Sequence, residues 1–270
     1  MFPYSGAILA VDVEDVREDP AVRRWVAEDG QPIEDENGNG ILEEVAEHPV
    51  NGDFRETVDV VAHGFGNVFG VAFDRDGVPH TGMNGCDDPP SPDSFYRVDE
   101  AEGTNYGYPY CFNDGPVGGT GADVSKRPNP EFKSRDCGQY PAADAVLGCH
   151  VCATGLDFPH DDSRGPGGGG SDDRPFAFPE PYLDDAFIGE CGTFTPDNSL
   201  QKTIEGDGEP RNTGHMVTHV AIEDGDVVGV SDFLTGLSLP TDVTFGPQGA
   251  MYVADLEGIY RVQPRPGPSV

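Results

Sequence analysis

Two segments of this 270-residue chain follow the same order of strands and turns. Residues 67–85 (NVFGVAFDRDGVPHTGMNG) and 240–258 (PTDVTFGPQGAMYVADLEG) each contain an apolar strand, a turn with glycine, a second strand and a polar exit. A further strand ending in Arg-Val follows each of them, at 95–98 and at 259–262. Antiparallel units that repeat at about 40–50 residues are typical of β-propeller blades. No other feature of the sequence constrains the fold as much.

The remaining sequence favours short strands over helices. Runs of β-branched and aromatic residues alternate with Gly, Asp and Pro, and tight hairpin turns are predicted in AFDRDGVPH (72–80) and AIEDGDVVG (221–229). The best helical candidate is DPAVRRWVAED (19–29), with Asp19 as N-cap and Pro20 at the first helical position. We therefore predict an all-β fold of the propeller type, with about four to five blade units in the chain.

The predicted organisation is a single propeller domain over residues 1–263. Within it, residues 16–56 are an acidic, partly helical insertion, and residues 160–175 are a flexible glycine-rich loop. Residues 264–270 are predicted to be a disordered tail. No apolar run approaches the roughly 18 residues of a membrane span, and the N-terminal residues have no basic n-region. We accordingly expect neither membrane insertion nor a signal peptide in this chain.

The charge of the chain limits its partners. It carries 49 acidic and 16 basic side chains, a formal net charge of −33. Self-repulsion of this size destabilises a compact state in dilute buffer and is screened in concentrated salt, where the Debye length is about 3 Å at 1 M. The surface is therefore predicted to be adapted to high salt, as in a halophile. The same charge excludes nucleic acid and anionic membrane surfaces as partners.

The segment GCHVCATGLDFP (148–159) places a histidine inside a Cys-x-x-C motif, in a chain with six cysteines. A zinc site would need a second pair at suitable spacing, whereas Cys111 and Cys137 stand 26 residues apart. A redox motif would need a helix N-terminus, and residues 154–158 have the pattern of a strand. Structural disulfides or buried thiols are therefore favoured over a metal or redox pair, with the pairing left open.

The segment DENGNGILEE (35–44) is a candidate calcium loop. Oxygen donors fall at positions 1, 3, 5 and 7 of an EF-hand-like pattern, namely Asp35, Asn37, Asn39 and the carbonyl of Ile41. Position 12 is Ala46 instead of the usual bidentate glutamate. A solvated acidic turn is the alternative interpretation.

Six motifs occur in a fixed order: GFGNVFGVAFDRDG, NGCDDPPSPDSFYRV, GTNYGYP, HVCATGLDFP, DAFIGECGTF and DFLTGLSLPTDVTFGPQGAMYVADLEGIYRV. Together they resemble the glucose/sorbosone dehydrogenase family, soluble quinoproteins that oxidise sugars with pyrroloquinoline quinone (PQQ) and calcium on a six-bladed propeller. The resemblance covers residues 5–14 and 57–263. It corresponds to the C-terminal two-thirds of the family's pattern, so it implies a six-bladed type of propeller that is N-terminally incomplete.

The resemblance implies PQQ-dependent oxidation of an aldose sugar or a related polyol or aldehyde, with an electron acceptor as a second partner. It also implies an extracellular or cell-surface location and a role in carbohydrate metabolism. Asn67, His150 and Thr154 would contact the quinone, with His150 at the mouth of the central channel. For His150 the alternative is a hydrogen-bonded histidine on a strand end.

By the same resemblance, the turn NGCDD (84–88) would hold the calcium that sits on the quinone. Its ligands would be Asn84, Gly85 and Cys86, with Asp93 nearby. An ordinary Asx turn that closes a hairpin is the alternative. The tyrosines of GTNYGYPYC (103–111) would stack on a quinone or sugar or, more commonly, pack between blades.

Several positions depart from the family's pattern. Gly66 stands where an arginine would clamp the quinone's carboxylates, and residues 93–96 lack one carboxylate of the calcium neighbourhood. Cys191 replaces a histidine, and the general-base histidine belongs to a blade that would precede residue 1, so no catalytic base is identified. These departures support a second hypothesis, a calcium-stabilised propeller that binds or scaffolds without catalysis.

Overall fold

The structure is a computed structural model that describes residues 7–11, 58–85, 92–99, 103–113, 126–129, 131, 134–148, 151–159, 176–192 and 214–264. These residues form β-strands and short 3-10 turns, and no α-helix occurs among them. The predicted all-β class is thereby confirmed. The predicted helix at 19–29, the insertion at 16–56 and the loop at 160–175 lie outside the described residues. None of the described elements has the length and hydropathy that a bilayer-crossing helix requires.

The chain divides into two compact units. The smaller one comprises Met1–His63 and Ala101–Thr104. Strand β1 (Ala7–Val11) pairs antiparallel with β2 (Val58–His63), and the backbone N–H of Gly103 donates to the carbonyl of Val60 at 2.9 Å. The larger unit comprises Gly64–Glu100 and Asn105–Val270 and contains the residues considered below.

Among its described residues, the larger unit contains three antiparallel sheets of three or four strands and one antiparallel sheet of two strands, β7 (Cys111–Asn113) and β8 (Lys126–Pro128). The strands of the first are β3 (Asn67–Phe73), β4 (Pro79–Asn84), β5 (Asp93–Arg97) and β9 (Ala145–Gly148). Those of the second are β10 (Ala153–Asp157), β11 (Ala186–Glu190), β12 (Met216–Glu223) and β13 (Asp226–Thr235). Those of the third are β14 (Asp242–Phe245), β15 (Met251–Asp255) and β16 (Gly258–Val262). A further short strand is β6 (Thr104–Asn105).

Each of the three larger sheets is an up-and-down meander of the kind that forms a propeller blade. The two repeated segments of the sequence become equivalent elements, β3-β4-β5 and β14-β15-β16, as predicted. The predicted hairpin turns are also confirmed. In the first of them, Asp74 Oδ1 accepts hydrogen bonds from the backbone N–H groups of Asp76 and Val78, both at 2.9 Å. The number of blades in a closed propeller remains a prediction.

Two apolar clusters hold the three sheets together. The first sheet packs on the second through buried side chains that include Phe95, Leu147, Leu156 and Ile188. The second packs on the third through a cluster that includes Phe187, Val217, Val243 and Met251. Glycine allows the first strands of neighbouring sheets to approach closely. A Cβ at Gly155 would lie 1.8 Å from Asp242 Oδ1, so β10 and β14 could not be this close with any larger residue.

A buried histidine lies between the first two sheets. His80 is 2% exposed, packs on Phe95 and Phe158, and places Nε2 3.0 Å from Asp74 Oδ2. Burial lowers the pKa of His80 below its ordinary value, although the hydrogen bond and charge of Asp74 oppose this change. Its Nδ1 is buried and has no hydrogen-bond partner among the residues that the structure describes. His80 is therefore neutral in the folded chain at neutral pH.

We expect the free energy of unfolding to fall as the pH drops from 7.5 to 5.5. The pKa of His80 is lower in the folded state than in the unfolded state, where it is about 6.5. Above pH 6.5 this difference costs no stability. Below pH 6.5 the unfolded state binds more protons than the folded state, so the free energy of unfolding declines. Guanidinium titrations at constant molar salt measure the change. The variant His80→Leu should lose less stability over the same interval, and an equal loss in both proteins would contradict the prediction.

Candidate functional site

Most of the predicted site residues that the structure describes lie close together in the larger unit, at one end of its strands. Neighbouring strands alternate in direction, so the starts of the first and third strands of a sheet lie beside the end of the second. Asn67 at the start of β3 is paired with Asn84 at the end of β4. We define the strand-end face as Gly66, Asn67, Asn84, Gly85, Asp93, Cys152, Cys191, Gly192 and His215.

Asp93 connects the first two sheets at this face. Its carboxylate is 3% exposed and accepts two backbone hydrogen bonds, from Gly85 at 2.6 Å and from Cys152 at 2.7 Å. The two donors are 67 residues apart in sequence, since 152 − 85 = 67. Asp93 therefore holds the 84–85 turn against the residue that precedes β10. Asp93 thus positions the turn, and its predicted place in the calcium neighbourhood stays a prediction.

Asn84 provides an unused oxygen at the same turn. Its Oδ1 is buried and has no hydrogen-bond partner within the described part of the chain. A buried carbonyl-type oxygen without a donor is unfavourable by about 1–3 kcal/mol, so such atoms usually mark a missing partner. Calcium binds carboxamide, carbonyl and carboxylate oxygens. Asn84 and Gly85 thus fit the predicted calcium turn, while Cys86 lies outside the described residues.

Gly66 and Asn67 form the open part of the face. The side chain of Asn67 is exposed. A Cβ added at Gly66 would lie 3.4 Å from the Asn84 carbonyl oxygen and 3.6 Å from the Tyr108 ring, which are ordinary contact distances. The described neighbours of residue 66 therefore leave room for a side chain. Steric exclusion does not explain why glycine stands where the resemblance implied an arginine. None of the residues that define the face is lysine or arginine.

Thr154 and the tyrosines have structural contacts. The hydroxyl of Thr154 donates to the carbonyls of Gly189 at 2.9 Å and Pro240 at 3.2 Å, and it thereby links β10 to the neighbouring strand and to the segment before β14. Tyr106 is buried and stacks on Phe65 with ring centroids 4.2 Å apart. Of the two predicted roles for Tyr106, packing is the one that this contact favours.

The cysteines pair as Cys111–Cys137 and Cys152–Cys191. Cys152 is therefore not the partner of Cys149 within Cys-x-x-C, which excludes an internal redox pair and a zinc thiolate at Cys152. The preference for structural disulfides is confirmed for these four residues. Cys191, at the position where the resemblance implied a histidine, forms a disulfide with Cys152 between the start of β10 and the end of β11.

Several predicted residues lie outside the described part of the chain: His150, Cys86, Asp35, Asn37, Asn39 and Ile41. Their predicted roles stay predictions. Among the residues that the structure describes, no group of three or more His, Cys, Asp or Glu side chains could hold a metal ion. A calcium site at the 84–85 turn would therefore depend on carboxamide and backbone oxygens.

His215 is a member of the face to which the sequence analysis assigned no role. It precedes β12 and hydrogen-bonds through Nδ1 to the carbonyl of Ser238 at 2.7 Å. Its only local signal was a histidine that follows a glycine and precedes a strand-like run. That context is too common to single out a residue without the tertiary structure.

A cavity of about 420 Å³ lies between the first strands of the three sheets. Phe69, Val71 and Leu156 line it with apolar surface, and Thr154, Thr241 and Asp242 add polar groups. The cavity is bordered by β3, β10 and the start of β14, the first strands of their sheets.

Comparisons with known proteins give a likeness in structure only. No family model matches the sequence, and no curated protein matches it. The calcium structure of Trichoderma reesei Carbohydrate-Active Enzymes Family AA12 matches with a TM-score of 0.53 and 14% identity, over 81% of this chain and 56% of that one. The holo form of the pyranose dehydrogenase PQQ domain from Coprinopsis cinerea matches with a TM-score of 0.52 and 13% identity, over 79% and 57%.

The chain shares its fold with the PQQ domain of a sugar dehydrogenase. The predicted resemblance to PQQ-dependent sugar dehydrogenases is thereby confirmed at the level of the fold. A glucose dehydrogenase crystal structure also matches, with a TM-score of 0.49 and 16% identity, over 89% of this chain and 54% of that one. The chain therefore spans a little over half the length of these three structures.

Proposed function

We propose that this chain belongs to a PQQ-dependent dehydrogenase that oxidises an aldose sugar or a related polyol or aldehyde. The observation that carries the proposal is the 84–85 turn at the end of β4, where the buried carboxamide oxygen of Asn84 has no donor among the residues that the structure describes. The turn lies beside Asn67, at the position where the sequence resemblance puts calcium and quinone. The shared fold with a PQQ domain supports the same assignment.

Asn84 Oδ1 and the carbonyls of the turn would hold the calcium, and Asn67 would donate its carboxamide N–H groups to the quinone. When bound, calcium acts as a Lewis acid on the quinone carbonyls, and the quinone accepts a hydride from the substrate. Asp93 keeps the turn at a fixed distance from β10. The Cys152–Cys191 disulfide is adjacent, since Cys152 donates its backbone N–H to Asp93.

The wider proposal concerns the whole protein and its surroundings. A six-bladed propeller would need blades beyond those described here, and the chain spans only part of the enzymes it matches. Disulfides persist in oxidising compartments, and the described residues form two of them, which supports an extracellular or cell-surface location. The net charge of −33 supports function in concentrated salt.

Calorimetric titration of PQQ into the calcium-loaded protein in molar salt tests the proposal. We expect a Kd in the micromolar range or below, weakened about tenfold or more by Asn67→Ala, since a hydrogen bond to a charged group is worth about 1.5–3 kcal/mol. Glu223→Ala, an exposed residue near the opposite end of β12, is the control and should leave the Kd unchanged. Absence of heat, together with an unchanged melting temperature, would refute the proposal.

A catalytically silent, calcium-stabilised propeller is the second candidate. The observation in its favour is that the residues defining the strand-end face include no lysine or arginine, although PQQ carries three carboxylates. Calcium that raises the melting temperature without any PQQ binding would support this candidate over the enzyme.

Restoring the missing cation should strengthen PQQ binding. Gly66→Arg adds a side chain where the surroundings leave ordinary contact distances, and a charge-assisted hydrogen bond there would lower the Kd about tenfold. Gly66→Gln is the matched control, since it has similar length and no charge, and it should have a smaller effect. An unchanged Kd for both variants would mean that the quinone's carboxylates do not lie near residue 66.

A further inference from the structure

Three polar side chains form a hydrogen-bonded row on the second sheet, outside the strand-end face. His219 on β12 is the register partner of Ser231 on β13, so their side chains leave the same face of the sheet next to each other. Ser231 Oγ lies 3.4 Å from Nδ1 of His219, and Asp185 Oδ2 lies 2.6 Å from Nε2 of the same ring. Hydroxyl, imidazole and carboxylate thus follow one another in the order that activates a serine nucleophile. The hydroxyl contact is long, as is usual before a substrate binds and tightens it.

Asp185 fixes the orientation and the tautomer of the His219 ring. This aspartate is 4% exposed, and its second carboxylate oxygen, Oδ1, accepts the backbone N–H of Ile222 at 2.8 Å. An ionised carboxylate can only accept hydrogen bonds, so Nε2 carries the proton in the neutral ring. Nδ1 then has the lone pair, and it faces the hydroxyl of Ser231. The ring is therefore held as a base for that hydroxyl.

Aromatic side chains keep the imidazole in place and limit its contact with water. The ring centroids of Tyr182 and Phe187 each lie 5.2 Å from that of His219, and the histidine side chain is 15% exposed. Ser231, in contrast, is exposed at the surface of the sheet. A substrate can therefore reach the serine oxygen without displacing the ring that would take its proton.

The edge of the sheet beside Ser231 offers apolar surface and backbone donors. The register of β12 and β13 shifts between Val217 and Thr218, which leaves Phe233 without a partner on β12. Phe233 is half-buried and packs on Phe187 with ring centroids 4.8 Å apart. β13 is the last strand of its sheet, so N–H groups along its outer side pair with no strand that the structure describes. An apolar acyl group would lie against Phe233 while such N–H groups stabilise the charge that develops on its carbonyl oxygen.

We propose that this row is a second catalytic site, which hydrolyses neutral carboxylic esters with a small apolar or aromatic acyl group. Ser231 is the nucleophile, His219 is the general base, and Asp185 is the residue that positions the base. The formal charge of −33 and the exposed Asp232 beside the nucleophile repel anionic substrates, whereas an uncharged ester meets no such repulsion. The inference does not depend on the proposed dehydrogenase function.

The reaction balances without a cofactor. Ser231 Oγ forms a bond to the acyl carbon while its proton passes to Nδ1 of His219, and the tetrahedral intermediate expels the alcohol, which takes that proton. Water then attacks the acyl-serine and gives a proton to Nδ1. The carboxylic acid leaves as the bond to Ser231 breaks, and Ser231 Oγ regains the proton from Nδ1. The products are one alcohol and one acid for each water consumed.

Covalent labelling of the wild-type chain tests the nucleophile. Diisopropyl fluorophosphate, an uncharged serine reagent, is added in molar salt, and peptide mass spectrometry locates the adduct. We expect labelling of Ser231 and none of Ser134, which is also exposed but forms no hydrogen bond with a histidine that the structure describes. His219→Gln should slow the labelling about 100-fold or more. Equal labelling of the two serines, labelling of neither, or an unchanged rate in His219→Gln would overturn the inference.

Turnover of p-nitrophenyl acetate tests the catalysis. Ser231→Ala, at an exposed position, should reduce p-nitrophenol release to the buffer rate, and release that persists would contradict the proposal. Asp185→Asn leaves one oxygen for two donors, the N–H of Ile222 and Nε2 of His219, so the ring loses its fixed tautomer. We expect kcat to fall about 100-fold or more with KM within about threefold of wild type. A merely structural Asp185 would lower the melting temperature and leave the kcat of the folded protein unchanged.

Discussion

Replacing both Cys152 and Cys191 by serine should lower the free energy of unfolding by about 4 kcal/mol and weaken PQQ binding about tenfold or more. The stability loss follows from the 39-residue separation of the two cysteines, because the open loop regains conformational entropy in the unfolded state. The affinity loss follows from position, since Cys152 donates to the carboxylate that holds the calcium turn. Guanidinium denaturation and calorimetric PQQ titration measure the two effects.

The second disulfide is a matched control for the first. Cys111 and Cys137 are 26 residues apart, so the double serine variant should lose about 3.5 kcal/mol by the same loop-entropy argument. Neither residue belongs to the strand-end face, and PQQ binding measured below the unfolding transition should be unchanged. Equal losses of affinity in both double variants would mean that the Cys152–Cys191 bond acts only through global stability.

Asp93→Ala should destabilise the protein by about 2–4 kcal/mol. The substitution leaves two backbone N–H groups, those of Gly85 and Cys152, without an acceptor in a buried place, and each contributes about 1–2 kcal/mol. It also releases the turn that carries Asn84. We therefore expect the rise in melting temperature on calcium addition to disappear, as measured by scanning calorimetry with and without calcium.

Asp157→Ala serves as the comparison for Asp93→Ala. Asp157 lies at the opposite end of β10 and also accepts two backbone hydrogen bonds, from Phe158 at 2.9 Å and Phe245 at 2.7 Å. Its loss should destabilise to a similar degree and leave the calcium response in place. If calcium still raises the melting temperature of Asp93→Ala, the 84–85 turn binds the ion without the hydrogen bonds that Asp93 accepts from Gly85 and Cys152.

Much of the local structure follows from short-range patterns. The hairpin at 74–78 could be predicted because Asp74 closes an Asx-type turn within five residues, and the repeat of 67–85 at 240–258 predicted two equivalent meanders. The pairing of Asn67 with Asn84 is also a consequence of hairpin register. All of these contacts join residues close in sequence, so turn chemistry and strand periodicity are sufficient to predict them.

The site depends on contacts that join distant parts of the chain. The Asp93–Cys152 hydrogen bond spans 59 residues and that between Thr154 and Pro240 spans 86, and neither leaves a local signal. The choice of Cys191 over Cys149 as the partner of Cys152 is of the same kind. The hydrogen bond between His215 Nδ1 and the Ser238 carbonyl likewise joins residues 23 positions apart. The sequence by itself determined strands, turns and blade-like units, because these depend on neighbouring residues. Only the tertiary structure decided which strand ends meet, and the chemistry of the candidate site arises where they do.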